Sequence, residues 1–504
     1  MTWDELQEAL LGRGLMQPQG MGHGAPPRAA VTGIAYDSRS VEPGQVFVAL
    51  KGVHADGAAF VRQAAERGAL AVVSEQPAPA GNGVAWAQVT DARLALAVLA
   101  ASFYRHPSDE MQVVGITGTN GKTTTAYLVA SVFEAAGIKC GVMGTVAYKI
   151  GDEIRESTRT TPEAPDVQRL LREMVDRGCG ACAIEASSHA LALRRVDGTS
   201  FAAAVFTNLT RDHLDFHRDM ETYFQAKRRL FDMLPPGAPS LINIDDPKGA
   251  ALVEIAGRPI TYAVNRPADI TPGPLSFTLD GLVFDVRTPR GTLHVRSKLV
   301  GRPNVYNILA AVSTAVAIGL PFDVIEQGIL SLDGVPGRFE VVSSPNDEIT
   351  VVVDYAHTDD ALRNLLETAR PLAPGRVITV FGCGGERDRT KRPLMGAVAG
   401  RLSDLIVITS DNPRGEDPVR IIEEIQRGIT PDTRRDSSQR ILAIVDRHDA
   451  VAKAIELARA GDLVLLAGKG HEKYQVIGEE QLPFDDAVVA REALARRRTN
   501  SGVV

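Results

Sequence analysis

The residues best suited to chemistry form a glycine-rich stretch at positions 115–125, which reads GITGTNGKTTT. An apolar run at residues 111–116 predicts a strand before it, and apolar residues at helical spacing in residues 124–136 predict a helix after it. This order builds a cradle for a polyphosphate, because turn amides and the positive helix N-terminus face the anion. Lys122 adds a point charge, and Thr123 offers a hydroxyl to Mg²⁺. The stretch therefore predicts binding of ATP or GTP; a glycine-rich turn that binds nothing is the alternative.

The spacing of this stretch departs from the general Gly-x4-Gly-Lys-Thr pattern, because Ile116 stands where the first glycine belongs. Residues 117–124, TGTNGKTT, resemble the variant phosphate loop of the Mur ligase superfamily. Its members are ATP-dependent enzymes that form amide bonds in the peptidoglycan stem peptide and in folate polyglutamates. The resemblance implies ATP binding by the loop residues Gly118, Thr119, Asn120, Gly121, Lys122, Thr123 and Thr124.

Length and composition describe an ordinary globular protein. The 504 residues suffice for about three domains with their own cores. A formal net charge of −7 and the lack of a long basic run argue against a protein that coats nucleic acid. No stretch reaches the roughly 18 apolar residues that span a bilayer, and the N-terminus has no signal-peptide core, so we expect a cytoplasmic protein. The four cysteines do not have disulfide-framework or zinc spacing, and we expect them to be reduced.

The predicted elements fall into three α/β domains. Residues 1–108 form a small α/β unit that opens with a helix. Residues 109–335 alternate strands and helices around the phosphate loop, at the spacing of a doubly wound, mostly parallel sheet. Residues 336–504 repeat a Rossmann-like alternation. Open sheets of this kind bind ligands at the carboxyl ends of their strands, and the polar clusters of this chain stand near those ends.

The N-terminal unit contains DSRSVEPG at residues 37–44. Alone, these residues could form a capped surface turn, or a loop that presents a hydroxyl and a guanidinium to a diphosphate or a uracil edge. They match the Asp-Ser-Arg-x-Val-x-Pro-Gly signature of the Mur ligase domain that holds the UDP of the substrate. The resemblance implies substrate binding by Ser38 here, and by Thr160, Thr161, Ser188 and Arg195 in the middle domain.

Besides Thr123, three residues of the middle domain are candidate metal ligands. Glu185 closes an apolar strand, where a carboxylate is a natural Mg²⁺ ligand, although a helix-capping acid is the alternative. Residues 208–217 hold two histidines and two aspartates, which packing does not explain, and they indicate a metal or phosphate role for His213. Lys227 stands in a stretch that could equally be a basic, solvated helix face. The Mur ligase resemblance implies instead that Lys227 carries a CO₂-derived carbamate, which binds a second Mg²⁺ beside Glu185 and His213.

The resemblance places further residues at the nucleotide. Residues 301–307, GRPNVYN, open a helix and resemble the family's Gly-x-Phe-Asn-x-x-Asn, whose first Asn touches adenine; this implies Asn304, although Pro303 replaces the Phe. Residues 354–357, DYAH, resemble an interdomain motif, which implies Asp354 at the ribose and His357 at the phosphates. We also expect Arg338, at the start of the C-terminal domain, to bind the nucleotide.

The C-terminal domain carries the residues expected to bind an acceptor. Residues 384–392 contain four cations after a strand end and suit an anionic ligand, with a solvated loop as the alternative. Residues 411–414, DNPR, resemble the signature of Mur ligases that add meso-2,6-diaminopimelate. A lysine acceptor lacks the distal carboxylate that Arg414 would bind, so Arg414 favours diaminopimelate. The expected acceptor site comprises Arg387, Asp411, Asn412, Pro413, Arg414, Gly468 and Glu472.

Taken together, these residues and their resemblance to the Mur ligases imply a ligase of peptidoglycan synthesis. The carboxylate of UDP-N-acetylmuramoyl-L-alanyl-D-glutamate would attack the γ-phosphate of ATP to form an acyl phosphate, and the amine of meso-diaminopimelate would displace phosphate. One Mg²⁺ would lie on Thr123 and Glu185, and a second on His213, Glu185 and carbamylated Lys227. The C-terminal domain would swing in to exclude water. We expect a monomer that acts on small molecules and neither binds nucleic acid nor inserts into a membrane.

Other functions remain open on the sequence alone. Within the superfamily, the acceptor could be L-lysine or L-ornithine, or the enzyme could resemble a folylpolyglutamate synthetase. Outside it, the chain could be a nucleotide-binding regulator or a scaffold with a relict site. Phosphate release that requires both a UDP-muramoyl dipeptide and an amino acid distinguishes a ligase from the latter two.

Overall fold

The structure, a computed structural model, describes residues 1–16, 30–52, 56–79, 83–435 and 440–500. Its α-helices are α1 (Trp3–Gly12), α2 (Val61–Glu66), α3 (Ala92–Phe103), α4 (Lys122–Ala135), α5 (Ala164–Asp176), α6 (Ser188–Ala192), α7 (Met220–Asp232), α8 (Pro247–Ile255), α9 (Arg302–Ala317), α10 (Phe322–Ser331), α11 (Asp359–Ala369), α12 (Lys391–Leu402), α13 (Pro418–Gln426), α14 (Arg447–Leu457) and α15 (Asp486–Asn500). Its strands are β1 (Gly33–Ala35), β2 (Gln45–Val48), β3 (Ala71–Ser74), β4 (Ala85–Gln88), β5 (Gln112–Thr117), β6 (Cys140–Met143), β7 (Ala147–Ile150), β8 (Glu153–Glu156), β9 (Ala181–Glu185), β10 (Ala203–Phe206), β11 (Ser240–Asn243), β12 (Pro259–Tyr262), β13 (Thr271–Pro272), β14 (Ser276–Thr278), β15 (Gly281–Thr288), β16 (Gly291–Ser297), β17 (Glu340–Val341), β18 (Thr350–Asp354), β19 (Val377–Phe381), β20 (Leu405–Ile408), β21 (Arg440–Ala443), β22 (Leu463–Ala467), β23 (Tyr474–Ile477) and β24 (Glu480–Pro483).

The first part of the chain forms a four-stranded parallel sheet in the order β1-β2-β3-β4. Apolar residues of α1 and α3 cover one face, and the start of α3 is capped by Asp91, whose carboxylate accepts from the amide of Leu94. Two polar contacts join this unit to the middle of the chain. The Tyr36 hydroxyl donates to Asp166 Oδ2 over 3.0 Å, and Arg194 pairs with Asp91 over 2.7 Å.

The middle of the chain builds an eight-stranded sheet in the order β12-β11-β10-β5-β9-β6-β7-β8. The strands from β12 to β6 are parallel, and β7 and β8 add an antiparallel edge. The residues of β9 are all buried, as expected for a parallel strand with both faces covered. Because β10, β5, β9 and β6 are neighbours, the loops that follow them meet at one edge of the sheet.

The C-terminal part builds a six-stranded sheet in the order β17-β18-β22-β19-β20-β21, parallel except for β17. Here too four adjacent strands, β18, β22, β19 and β20, end at one edge. The loops after them contain residues 355–358, 468–472, 382–390 and 409–416. These are the segments in which the sequence places the phosphate and acceptor motifs.

The predicted α/β class is confirmed. In the C-terminal part the sequence predicts strands at residues 350–354, 377–381, 405–409 and 463–466. Strands β18 and β19 begin and end as predicted, and β20 and β22 each differ by one residue at the end. The antiparallel sheet of β13 to β16 and the hairpin of β23 and β24 were not predicted. The four cysteines are free and buried. Within the described ranges, the structure holds no helix long and apolar enough to cross a membrane.

A fully buried ion pair joins the elements behind the acceptor loops. Arg447 opens α14 and Asp486 opens α15, and both side chains are 0% exposed. Their guanidinium and carboxylate form two hydrogen bonds, of 2.8 and 2.6 Å. Arg447 also donates to the carbonyl of Ala467 over 3.0 Å, at the end of β22. The pair therefore fixes the strand end from which residues 468–472 leave.

We expect Asp486→Asn to lower the free energy of unfolding of the C-terminal sheet domain by about 3–5 kcal/mol, because it leaves a buried guanidinium without its countercharge. Urea denaturation followed by circular dichroism measures the change. Glu66→Gln is the control: its pair with Arg62 is 63% and 92% exposed, and such pairs contribute little. Equal midpoints for Asp486→Asn and the wild type would contradict the expectation.

Candidate active site

The turn between β5 and α4 is built from glycines that tolerate no side chain. Gly118 and Gly121 have φ angles of +150° and +85°. A Cβ at Gly121 would lie 2.3 Å from Asn307 Oδ1, and one at Gly118 would lie 1.9 Å from Thr207 Oγ1. The backbone can therefore approach α9 and the β10 loop only where Cβ is absent. Lys122 is the first residue of α4, so the turn leads directly into a helix N-terminus.

Two lysines meet on one carbonyl of this turn. Lys122 Nζ donates to the carbonyls of Gly118 (3.0 Å) and Thr119 (2.8 Å), and Lys227 Nζ donates to the same Gly118 carbonyl (2.7 Å). Lys227 is 1% exposed and lies over the ring of Tyr223, 4.3 Å from its centroid. Burial, with the charge of Lys122, lowers the pKa of Lys227 well below its usual value. Two lysine side chains on one carbonyl favour an anionic ligand, which would offset their positive charge.

Glu185 lies at the end of β9 with its carboxylate held by one residue. Thr145 donates its amide to Oε1 over 2.8 Å and its hydroxyl to Oε2 over 3.0 Å. The side chain is 1% exposed, and its negative charge acts on Lys122. Sequence reasoning missed Thr145. The available signal was its position just after β6, at the same sheet edge as the other site loops.

His213 lies beside Asp212 in a left-handed backbone conformation, with φ +55°. Its Nε2 is 3.3 Å from Asp212 Oδ2, and its ring meets that of His189 at 4.8 Å between centroids. Burial lowers the pKa of His213 to about 4. The imidazole is therefore neutral at neutral pH and can donate a nitrogen lone pair to a metal.

The remaining nucleotide candidates lie around the turn. Arg338 reaches across from the C-terminal part, and its Nη2 donates to Thr123 Oγ1 over 3.1 Å. Asp354 accepts the amides of two neighbouring segments, and His357 Nδ1 bonds the carbonyl of Tyr355 over 2.8 Å. Asn304 Oδ1 accepts from Asn307 Nδ2 over 2.8 Å, which places Asn304 one side chain away from the turn. Thr124 is buried in the first turn of α4.

Four of the candidate substrate residues lie together near Glu185. Thr160 Oγ1 is 3.1 Å from Thr145 Oγ1, and Thr161 Oγ1 donates to the carbonyl of Glu185 over 2.6 Å. Arg195 donates to the Thr161 carbonyl over 3.2 Å. Ser188 Oγ is 2.9 Å from a ring nitrogen of His217, on the other side of β9. Ser38 stands apart in the N-terminal sheet, where its hydroxyl donates to Gln63 over 2.7 Å.

A cavity of about 900 Å³ lies between the edges of the middle and C-terminal sheets. From the middle part it is lined by residues that include Thr160 and His213, and from the C-terminal part by His357. The candidate acceptor residues in its lining are Arg387, Asp411, Asn412, Arg414, Gly468 and Glu472. Pro413 is buried behind them.

The acceptor candidates form one acidic and one basic group. Glu472 Oε2 accepts from Asn412 Nδ2 (2.9 Å) and from Lys469 Nζ (3.2 Å), which is fully buried. Burial and the nearby charge of Asp411 raise the pKa of Glu472. Arg387 and Arg414 both adjoin Gly384: a Cβ there would lie 3.1 Å from the Arg414 guanidinium and 3.9 Å from the Arg387 side chain. Such a pocket suits a ligand that carries both an ammonium and a carboxylate.

Polar contacts tie the phosphate turn to the C-terminal part. Asn120 Nδ2 donates to Asp360 Oδ2 over 3.1 Å. Arg211, in the loop after β10, donates to Thr390 Oγ1 over 2.7 Å and pairs with Asp359 over 3.2 Å. The two sheet edges therefore face each other with the cavity between them.

Family models match three successive parts of the chain. "Mur ligase family, catalytic domain" matches residues 30–104, "Mur ligase middle domain" residues 116–315, and "Mur ligase, glutamate ligase domain" residues 337–470. The chain belongs to the Mur ligase family.

Two curated Mur ligases are similar over nearly their whole length. UDP-N-acetylmuramoyl-L-alanyl-D-glutamate–2,6-diaminopimelate ligase of Geobacter sulfurreducens is 50% identical over 487 residues, which cover 93% of this chain and 95% of the relative. Its namesake from Geobacter metallireducens is 49% identical and covers 90% and 92%. A solved structure that bears the same ligase name is 35% identical, has a TM-score of 0.66 and covers 94% of this chain and 96% of its own.

Two further residues of this Mur ligase, Lys391 and Asp212, belong to the site, although they were not predicted from the sequence. Lys391 donates to the carbonyl of His357 over 2.8 Å and lines the cavity. Asp212 also lines it; burial alone would raise the pKa of Asp212, but its interactions with His213, His357 and Lys391 hold that pKa below its usual value. Lys391 could have been found from its place in the cation-rich loop, and Asp212 from its neighbour His213.

We expect Gly121→Ala to weaken binding of a non-hydrolysable ATP analogue by about tenfold or more, because the new Cβ would displace Asn307 and strain the turn. Isothermal titration calorimetry measures the Kd. Gly137→Ala is the matched control, since Gly137 also has a positive φ, +75°, but nothing lies within 4 Å of a Cβ there. The expectation fails if both variants bind the analogue as the wild type does.

Proposed function

We propose that this chain is an ATP-dependent ligase that joins meso-2,6-diaminopimelate to UDP-N-acetylmuramoyl-L-alanyl-D-glutamate in peptidoglycan synthesis. The observation that carries the proposal is the cavity between the sheets. A phosphate-type turn lies beside it on the middle sheet, and paired carboxylates and paired guanidiniums line it on the C-terminal sheet. The names of the curated relatives support the same reaction.

The charges of the acceptor pocket favour diaminopimelate over lysine. The end of meso-diaminopimelate away from the reacting amine carries an ammonium and a carboxylate. Asp411 and Glu472 suit the ammonium, and Arg387 and Arg414 suit the carboxylate. Lysine has no carboxylate at that end, so the two guanidiniums would be desolvated without a partner.

The phosphate turn suits ATP, and its neighbours suit Mg²⁺. We assign the turn amides and Lys122 to the β- and γ-phosphates, where the ammonium would exchange the carbonyls it now holds for phosphate oxygens. The Thr123 hydroxyl and the Glu185 carboxylate are oxygen donors, which a hard divalent cation prefers, and the neutral His213 imidazole would add a nitrogen donor. When bound, Mg²⁺ supplies the charge that offsets repulsion between phosphates and an incoming carboxylate.

The residues of the chain then serve two successive steps. The substrate carboxylate attacks the γ-phosphorus and ADP leaves, which gives an acyl phosphate; the diaminopimelate amine attacks its carbonyl carbon and phosphate leaves. We assign Thr160, Thr161, Ser188 and Arg195 to positioning the UDP substrate, with Ser38 at its nucleotide end. The facing sheet edges exclude water, which would otherwise hydrolyse the acyl phosphate.

Lys227 has the properties of a lysine that reacts with CO₂. Only a neutral amine adds CO₂, and burial beside Lys122 favours the neutral form. The carbamate is an anion, so it would attract Lys122, whereas a protonated Lys227 would repel it. Its oxygens would also supply metal ligands near His213. We therefore propose that Lys227 is carbamylated in the active enzyme.

An acceptor panel tests the proposed reaction. Phosphate release is measured with the UDP-dipeptide, Mg²⁺-ATP and one of meso-diaminopimelate, L-lysine or L-ornithine. We expect turnover with diaminopimelate at a kcat/KM at least about a hundredfold above that for lysine, since a pocket built for a polar group strongly rejects an analogue without it. Release that needs no acceptor, or a preference for lysine, would refute this function.

Lys227→Ala should reduce kcat severely, by about a hundredfold or more, because the variant lacks the carbamate. Small added carboxylic acids should restore part of the activity by occupying the space of the carbamate. The control is Arg228→Ala, which removes an exposed neighbour that pairs only with Asp232 at 3.5 Å among the described contacts of its side chain. Near-normal kcat for Lys227→Ala would argue against carbamylation.

A further inference from the structure

The two guanidiniums of the acceptor pocket stand on different loops that are clamped together. Arg387 belongs to the loop after β19 and Arg414 to the loop after β20. The loops share a backbone hydrogen bond from the amide of Gly385 to the carbonyl of Asn412, 2.9 Å long. Arg414 Nη1 itself donates to the carbonyl of Gly385 over 2.7 Å. The distance between the guanidiniums therefore depends on how the two loops are held.

Glu416 is the side chain that holds both loops. It lies two residues after Arg414, and its Oε1 accepts the backbone amide of Glu386 over 2.6 Å. The same carboxylate receives two hydrogen bonds from Arg392, each 2.9 Å long. Arg392 is 0% exposed and also donates to the carbonyl of Gly384 over 3.2 Å. The hydrogen bonds of Glu416 and Arg392 thus hold the start of the loop after β19 against the end of the loop after β20.

Two residues of these loops have a strained backbone conformation, so the surrounding contacts must hold the loops in this arrangement. Glu386 and Arg414 have φ angles of +54° and +51°, in the left-handed region that side chains other than glycine rarely adopt. A residue keeps such a conformation only when its surroundings impose it. Arg392 lowers the pKa of Glu416 to about 2, so the imposing carboxylate stays charged at neutral pH.

We propose that Glu416, paired with Arg392, is a positioning residue that sets the spacing of Arg387 and Arg414 and so the affinity of the pocket for the distal carboxylate of the acceptor. This inference rests on the proposed function, because it takes diaminopimelate as the acceptor. Glu416 does not line the cavity, so it acts through the arginines and not by touching the acceptor.

The test is a double-mutant cycle in the full-length enzyme with Glu416→Gln and Arg414→Ala. Glu416→Gln should raise the KM for diaminopimelate about tenfold, the usual cost of losing one charge-assisted contact, with kcat and the KM for ATP and for the UDP-dipeptide within about twofold of wild type. In the Arg414→Ala background the same change should raise the KM for diaminopimelate by less than about threefold, because the residue through which Glu416 acts is gone.

Glu424→Gln is the matched control. Glu424 also accepts from the buried Arg392, over 2.8 Å, and from the exposed side chain of Arg389, over 2.6 Å, but it has no recorded hydrogen bond to the backbone of either acceptor loop or to Arg387 or Arg414. It should leave the KM for diaminopimelate within about twofold of wild type. If Glu416→Gln does not fold, Glu416→Asp replaces it, since aspartate keeps the charge but withdraws it from the Glu386 amide.

The outcomes separate this inference from the function on which it rests. Additive effects in the cycle, equal effects of Glu416→Gln and Glu424→Gln, or a uniform loss of activity toward all three substrates would overturn the positioning role. In each of those cases a wild-type enzyme that uses diaminopimelate leaves the proposed function standing. A wild-type enzyme that does not use diaminopimelate removes both.

Discussion

Lys122 and Lys227 share the carbonyl oxygen of Gly118, and the site depends on how their charge is balanced. Lys227 is buried and Lys122 is partly buried, so two positive charges there would repel strongly, and burial together with the charge of Lys122 lowers the pKa of Lys227. The turn can hold them only because glycine lets its backbone come close enough to accept both. A polyphosphate on Lys122 and a carbamate on Lys227 would each relieve the repulsion. The neighbouring histidines are kept neutral by burial and so do not add to it.

The charges are arranged differently at the opposite edge of the cavity, which the C-terminal sheet forms. There buried cations lie behind two of the carboxylates, Lys469 behind Glu472 and Arg392 behind Glu416, while Arg387 and Arg414 have only backbone carbonyls among their described hydrogen-bond partners. A pocket with a fixed pattern of charge selects a ligand with the complementary pattern, and rejects one in which a charge is missing. The contacts of Arg338 with Thr123, and of Asn120 with Asp360, bring this selective edge against the phosphate turn.

The sequence predicts best where local pattern and burial agree. Strands β18 and β19 are continuous apolar runs between polar segments, and they were predicted residue for residue. The sheet of β13 to β16 was missed because its strands are not continuous apolar runs: β15 and β16 alternate buried and exposed residues. Thr145 and Lys391 were missed because a single polar residue carries no functional pattern in the sequence. Only the fold places Thr145 beside Glu185 and Lys391 beside His357.

The burial of Lys227 could not be predicted from the sequence alone. The stretch around it reads as a basic helix face, and the partly exposed Arg228 and Arg229 do pair with acids, Asp232 at the surface and the largely buried Asp197. Lys227 differs because α7 turns Tyr223, Leu230 and Phe231 into the core together with it. A lysine buried on that face has no carboxylate among its described hydrogen bonds, only a carbonyl. Carbamylation would give Lys227 a negative charge beside Lys122, which is the change that the electrostatics of the turn most favour.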